Sequence, residues 1–305
     1  MQNIYEAASS NKRKSAIIIV LFIIFVTLSV YLISQATAIY WGYEPGGIGM
    51  AGLAFIVSGL LSFGGYYFSD SIVLGISGAR PAERKRDFHF YTSVENLCIA
   101  SGLPKPKLYV IEDSAPNAFA TGRNPEHAVI CATTGLLEKL SRTELEGVVA
   151  HELTHIGNYD TLLMSITAVL VGTVALLGDW LLRVRWRGGK SRDSAGGLIL
   201  LLGIVFAILS PIIAQLIQLA ISRRREFMAD AGSVSITRQP QGLISALEKI
   251  SSDQEALEAA NKATAHLYIV NPFKGKSHAH IGWFAGLFNT HPPIEERLSA
   301  LKSMA

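Results

Sequence analysis

The chain has 305 residues; 50% are hydrophobic, 17% carry charge, and the formal net charge is +3. Soluble domains hold about 25% charged residues, and the shortfall here is local: Ile17–Tyr40, Ile48–Ser69, Thr161–Gly178 and Ser194–Ser222 contain no Asp, Glu, Lys, Arg or His. A purely soluble enzyme, a disordered chain and a small disulfide-stapled domain are therefore excluded, and so weak a positive charge, with no aromatic-basic stripe, gives no case for nucleic-acid binding.

A bilayer core about 30 Å thick takes about 20 apolar residues at 1.5 Å each. Each charge-free stretch is thus predicted to be a membrane helix, the third extending past Asp179 through Trp180–Leu182. The first follows Lys12-Arg13-Lys14. It is longer than the roughly 7–15 residues of a signal-peptide core, which favours an uncleaved anchor over cleavage at Ala36-Thr37-Ala38. Basic residues mark the cytoplasmic side. The tail carries three of them, the loop Trp41–Gly47 has none, and Arg80, Arg84, Lys85 and Arg86 follow the second stretch. Residues 79–160 and the part from Arg223 onward are accordingly expected in the cytoplasm.

Residues 87–101 read as a helix stopped by Gly102 and Pro104, followed by short strands at Lys107–Ile111, Ala118–Thr121 and Ala128–Thr133. Cys98 and Cys131 sit among apolar residues and read as reduced core thiols. A further helix begins at a capping box, Ser141 with Glu144, flanked by Leu140 and Leu145 as a hydrophobic staple. It carries His151-Glu152-Leu153-Thr154-His155. Histidines four apart share one helical face, so both imidazoles reach one zinc ion at about 2.0–2.1 Å, and Glu152 stands beside it as general base. Gly147, one turn earlier on that face, leaves room for another chain. Asp160 is expected to cap or brace the helix end.

The loop Arg183–Arg192 holds five basic residues yet falls outside if the third and fourth stretches both cross. Either it is tolerated or the two form a hairpin that does not fully span, and Pro211, Gln215 and Gln218 suit packing inside protein. A catalytic zinc has three protein ligands and an open position. In Arg223-Arg224-Arg225-Glu226-Phe227-Met228-Ala229-Asp230, Glu226 is the candidate third ligand, and Asp230, one turn on, the carboxylate that orients a ligand histidine. Gly242–Ala260 and Pro292–Leu301 read as helices. His278 and His280 lie in a Gly-Lys-Ser-rich loop and read as solvated; His89, His127 and His266 have no partners in the sequence. The predicted organisation is 1–78, tail and two membrane helices; 79–160, the half bearing the zinc helix; 161–222, two further hydrophobic helices; and 223–305, the half bearing the third ligand.

These motifs, with Asn117-Ala118-Phe119-Ala120-Thr121-Gly122 and Thr290-His291-Pro292-Pro293 followed by Arg297, resemble the M48 family of integral-membrane zinc metallopeptidases, of the HtpX type. The resemblance covers nearly the whole chain. It implies a mainly α protein with a small β-sheet, four transmembrane helices and a cytoplasmic zincin-type, gluzincin-like domain holding one Zn²⁺ through His151, His155 and Glu226. It further implies that Asn117, Ala118, Phe119 and Ala120 offer a strand edge to substrate and that His291 and Arg297 stabilise the oxyanion. The implied activity is endopeptidase cleavage of misfolded or damaged membrane proteins in the plasma (inner) membrane of a prokaryote, alongside other membrane proteases. Two alternatives remain: a prenyl-protein-type endopeptidase, ranked lower because that relative has seven helices, and a non-proteolytic scaffold with a structural zinc. A transporter is discounted, since the four stretches hold no ionisable residue.

Overall fold

In the computed structural model, residues 4–41, 47–170, 223–260, 264–272 and 292–304 are described. The first two hydrophobic stretches lie in α1 (Ile4–Trp41) and α2 (Gly47–Ile76). Small and polar residues are gathered on one side of the described part of α2 and of the N-terminal turns of α1. In α1 the buried positions Ala7, Asn11, Ser15, Ile18 and Phe22 recur every three or four residues, while Ile17, Val20, Leu21 and Ile24 are exposed. In α2, Ala54, Ser58, Ser62 and Ser69 are buried, and Leu53, Phe55, Ile56, Leu60, Phe63 and Phe68 are exposed. Small residues let helices approach closely, and large apolar side chains facing outward match lipid rather than water. Among the described residues one segment, Gly52–Ile76, is long and apolar enough to cross a membrane. The third stretch is described only as far as α6 (Asp160–Leu170). That helix is packed inside protein: Leu163, Ile166 and Ala168 are buried, and Gly65 of α2 faces Val169 so closely that a Cβ would stand 3.2 Å from its Cγ1. The Arg183–Arg192 loop and the fourth stretch lie outside the described residues.

The polar half is built on a four-stranded sheet of order β1-β2-β4-β3, with β1 (Arg80–Pro81), β2 (Lys107–Ile111), β3 (Ala118–Gly122) and β4 (Ala128–Thr133). β2 and β4 run parallel; the other pairs are antiparallel. Every residue of β3 and β4 is buried, and the two-residue period of a strand sorts them into two layers. Phe119, Val129 and Cys131 face a cluster with Met164, Leu267 and Tyr268. Ala118, Ala120, Ala128 and Ala132 face the core that holds Val148, Val149 and Leu153. The small side chains on that face let α5 (Arg142–Gly157) sit close against the sheet.

α3 (Phe88–Ser101) packs on α5 and ends at Gly102, whose φ of 69° is left-handed and suits glycine. α4 (Thr134–Lys139) leads into α5; α7 (Arg223–Thr237), α8 (Pro240–Ser252) and α9 (Ile294–Lys302) complete the layer around it. The helix expected over Gly242–Ala260 is shorter at its end. Asp253 is extended, and the Asp113 carboxylate accepts the Glu258 and Ala259 N–H groups, holding that segment in a non-helical course. The helix expected at Pro292–Leu301 begins at Ile294. Cys98 and Cys131 are free and buried.

Candidate active site

The capping box at the start of α5 is formed. Glu144 Oε2 accepts the Ser141 N–H at 2.7 Å, and the Ser141 hydroxyl accepts the Glu144 N–H. Leu140 and Leu145 are both buried beside it. With that end fixed, His151, Glu152 and His155 are carried into the interior, where each is at most 4% exposed. The two Nε2 atoms stand 3.1 Å apart, with the rings nearly perpendicular at 87°. From α7, Glu226 brings Oε2 to 3.7 Å from His151 Nε2 and Oε1 to 3.6 Å from His155 Nε2. The three ligand atoms lie within 4.8 Å of one another and could hold a metal ion.

Each imidazole is turned by a carboxylate on its other nitrogen. His151 Nδ1 is 2.9 Å from Asp230 Oδ1, and His155 Nδ1 is 2.9 Å from Asp160 Oδ2. A hydrogen donated from Nδ1 leaves the lone pair on Nε2, aimed at the shared point. This donor set suits zinc: two imidazoles, each turned by a carboxylate on its other nitrogen, and one carboxylate. Asp160, expected to cap or brace the helix end, is the first residue of α6 and points back at His155 in the last turn of α5. Proximity in sequence was its only signal.

The charges follow from burial. Glu152 is pushed up to about 7, chiefly by burial, with Glu226 adding to it; His155, Arg297 and a hydrogen bond from the Ala120 backbone oppose the shift. Burial also pulls His151 down to about 4 against the Asp230 hydrogen bond. At His155 burial acts downward too, but Asp160, Glu226 and Glu152 outweigh it and hold the ring up at about 9. A field of carboxylates that retains a proton on a buried imidazole also favours a cation there.

Arg297 differs from its expected place at an oxyanion. Its Nε and Nη2 donate to the two oxygens of Asp230 at 2.9 and 2.6 Å, and Nη1 donates to the Ile269 carbonyl at 3.1 Å. The guanidinium fork is turned onto the carboxylate behind His151 rather than onto an open position. His291, the other residue expected at the oxyanion, lies outside the described residues.

β3 is the terminal strand of the sheet and passes Glu152. Its edge is occupied by the chain itself. Ala118 O accepts the Ile269 N–H at 3.0 Å, Asn117 Nδ2 donates to Val270 O at 3.0 Å, and Gly122 N donates to Ser165 Oγ at 3.3 Å. Phe119 stacks edge-on against Tyr268. A substrate strand at Asn117–Ala120 would have to displace the Ile269–Val270 segment. Gly147 does leave room for a neighbour, and that neighbour is α8: a Cβ there would stand 2.6 Å from Leu243 N.

Residues 85–305 match the model of peptidase family M48. The protease HtpX homolog of Dictyoglomus turgidum is 43% identical over 300 residues, spanning 98% of this chain and 94% of that protein. The protease HtpX homolog of Pyrococcus furiosus is 45% identical over 266 residues, spanning 87% of this chain and 90% of that protein. Among solved structures, the crystal structure of S. mikatae Ste24p matches with a TM-score of 0.42 and 20% identity, covering 83% of this chain and 64% of that one. The His-Glu-x-x-His helix, the converging Glu226 and the match over most of the chain lead to one conclusion: the chain belongs to peptidase family M48 and is a membrane-associated metalloprotease.

Proposed function

We propose that this chain is a zinc endopeptidase that cleaves misfolded or damaged membrane proteins at the cytoplasmic face of a prokaryotic plasma membrane, with the peptidase half assembled from residues 79–160 and 223–305. The observation that carries the reading is the meeting of His151 and His155 from one helix with Glu226 from another, beside a buried Glu152. One zinc ion per chain would be held by these three ligands. When bound, it supplies Lewis acidity that polarises a peptide carbonyl and lowers the pKa of water toward about 7. Glu152, beside the ligand set, takes the proton from the attacking water and delivers it to the leaving amine. Asp230 and Asp160 hold the two histidines in the tautomer that presents Nε2. Arg297 keeps Asp230 ionised and in place. His291 is proposed to stabilise the oxyanion. β3 supplies the polar backbone edge beside Glu152 along which substrate would lie, once the Ile269–Val270 contact is released.

The basic residues at Lys12–Lys14, Arg80–Arg86 and Arg223–Arg225 support the cytoplasmic orientation. The prenyl-protein-type and scaffold alternatives are not favoured. Relatives spanning nearly the whole chain carry protease names, and a three-ligand set beside a general base differs from the closed four-ligand site of a structural zinc. The test is metal content and proteolysis in the full-length, detergent-solubilised protein. Wild type should hold one zinc, and Glu226→Ala should lose most of it. Glu152→Gln should keep zinc and lose casein cleavage, and wild-type cleavage should stop with chelator and return with zinc. Unchanged zinc content in Glu226→Ala, or near-wild-type cleavage by Glu152→Gln, refutes the assignment.

A further inference from the structure

The N-terminal end of α1 makes a contact that the peptidase chemistry described above does not use. Asn11, six residues before the exposed apolar face begins at Ile17, is 3% exposed. Its side-chain amide donates two hydrogen bonds, one to the Asn158 carbonyl at 2.9 Å and one to Asp160 Oδ1 at 2.7 Å. Those two acceptors flank Tyr159 in the turn between α5 and α6, and Tyr159 itself is held in a left-handed conformation at φ 58°. Lys12 places its ammonium 3.9 Å from the centre of the Tyr159 ring. The turn that follows the metal helix is thus gripped by α1.

The other oxygen of Asp160 accepts from His155 Nδ1 at 2.9 Å. A carboxylate has one plane. Fixing Oδ1 with the Asn11 amide fixes the direction of Oδ2, and that direction sets the His155 ring. Arg225 Nε, also near Oδ1, is at 3.4 Å, longer than the Asn11 contact. We propose that Asn11 is a positioning residue of the metal centre: through Asp160 it orients His155, so that the membrane anchor α1 and the peptidase site are one mechanical unit. The proposal rests on the reading of His151, His155 and Glu226 as zinc ligands.

Groups outside a ligand shell tune affinity by about 10–100-fold when they bond a ligand directly; one bond further out the effect should be about 3- to 10-fold. In full-length protein in detergent, zinc affinity is measured by competition with a chromophoric chelator, and the visible spectrum of the Co²⁺-substituted protein is recorded. Asn11→Ala should weaken zinc by that factor, shift the Co²⁺ bands, and lower kcat at saturating zinc with KM little changed. The isosteric Asn11→Asp, which opens no cavity but sets a carboxylate against Asp160, should weaken zinc at least as much. Lys12→Ala, which loosens the same turn without touching Asp160, should leave zinc affinity and the Co²⁺ spectrum as in wild type. The proposal is overturned if folded Asn11→Ala or Asn11→Asp binds zinc as wild type does with an unchanged Co²⁺ spectrum, or if Lys12→Ala shifts both equally. A wild-type chain that takes up no zinc overturns the ligand assignment itself, an outcome distinct from either of these.

Discussion

Asp230→Asn is predicted to cost both metal affinity and folding stability. Asp230→Asn keeps the side-chain shape, so no cavity confuses the result. It removes the negative charge behind His151 Nδ1, 2.9 Å away, and leaves one oxygen where two now accept, so that an NH₂ group must face at least one N–H of the Arg297 fork, whose bonds are now 2.6 and 2.9 Å. Loss of a carboxylate that orients a ligand histidine costs about 10–100-fold in metal affinity, or about 1.4–2.7 kcal/mol. The effect on folding should be larger. Arg297 is 1% exposed, and breaking a buried pair by removing one partner costs about 3–5 kcal/mol. Glu226 Oε2 lies 3.7 Å from Arg297 Nη1 and compensates in part, which argues for the lower end, about 3 kcal/mol. Thermal unfolding in detergent, with and without zinc, would read both effects. Arg297→Met removes the opposite charge, and the double variant should be less unstable than the sum of the singles by about 0.5–3 kcal/mol. Additive destabilisation, or Asp230→Asn with zinc affinity within about twofold of wild type, would refute the idea that this pair holds the His151 side of the site.

Three further outcomes follow from packing, capping and charge. Gly147→Ala should destabilise, because its Cβ would meet Leu243 N at 2.6 Å and Leu243 Cα at 2.9 Å; overpacking of about 1–3 kcal/mol exceeds the roughly 1 kcal/mol of helix propensity that alanine gains, so an unchanged or raised melting temperature refutes the close α5–α8 crossing. Glu144 is held below the ordinary carboxylate range: burial works against this, and the Lys249 ion pair and Ser141 bonds outweigh it. A depressed carboxylate stabilises above its unfolded value and loses that contribution as pH falls through the folded one, so wild type should exceed Glu144→Gln by about 1 kcal/mol at neutral pH and the gap should close in acid; a gap independent of pH refutes it. Stripping metal with a chelator should lower the melting temperature of wild type and shift Glu226→Gln far less; equal shifts in both would mean that the metal sits elsewhere.

The local features were legible because their physics is local. A capping box, histidines four apart and a strand's alternation are written within a few residues, and each of these appears in the structure as the spacing requires. Glu226 and Asp230 were legible for a different reason: an incomplete donor set demands a third ligand, and a carboxylate pair at helical spacing supplies a ligand and its neighbour. Asp160, Asn11 and the Arg297 fork were not. Asp160 looks like a helix-end residue because its partner is decided by the turn at Asn158–Tyr159, not by spacing. Asn11 lies 149 positions from Asp160, and nothing in a basic juxtamembrane tail distinguishes an amide that reaches the metal helix from one that faces water. The end of α8 was missed for a similar reason, since Asp113, far away in sequence, captures the backbone that would otherwise have continued the helix.

The charge balance of the interior explains why so many distant residues must converge. Glu152, Asp160, Glu226 and Asp230 are four buried carboxylates, and Arg225 and Arg297 are the buried guanidiniums that face them. Buried charge is tolerated only when it is paired. With all six ionised, these groups carry a net charge of two minus, the complement of one divalent cation between neutral imidazoles. Without that ion, protons must take its place, and the raised positions of Glu152 and His155 show where they would go. The arginines cannot serve instead, because each is committed to an aspartate that turns a histidine: Arg225 faces Asp160 behind His155, and Arg297 grips Asp230 behind His151. Each ligand histidine therefore has the same backing, imidazole to aspartate to arginine, built on one side from the start of α6 and of α7 and on the other from α7 and α9. That repetition is hard to account for by stability alone, since apolar residues of similar volume would pack the same space without the desolvation cost. It is accounted for if the two rings must be held at fixed angles around a cation while Glu152, which has no such backing, stays able to gain and lose a proton.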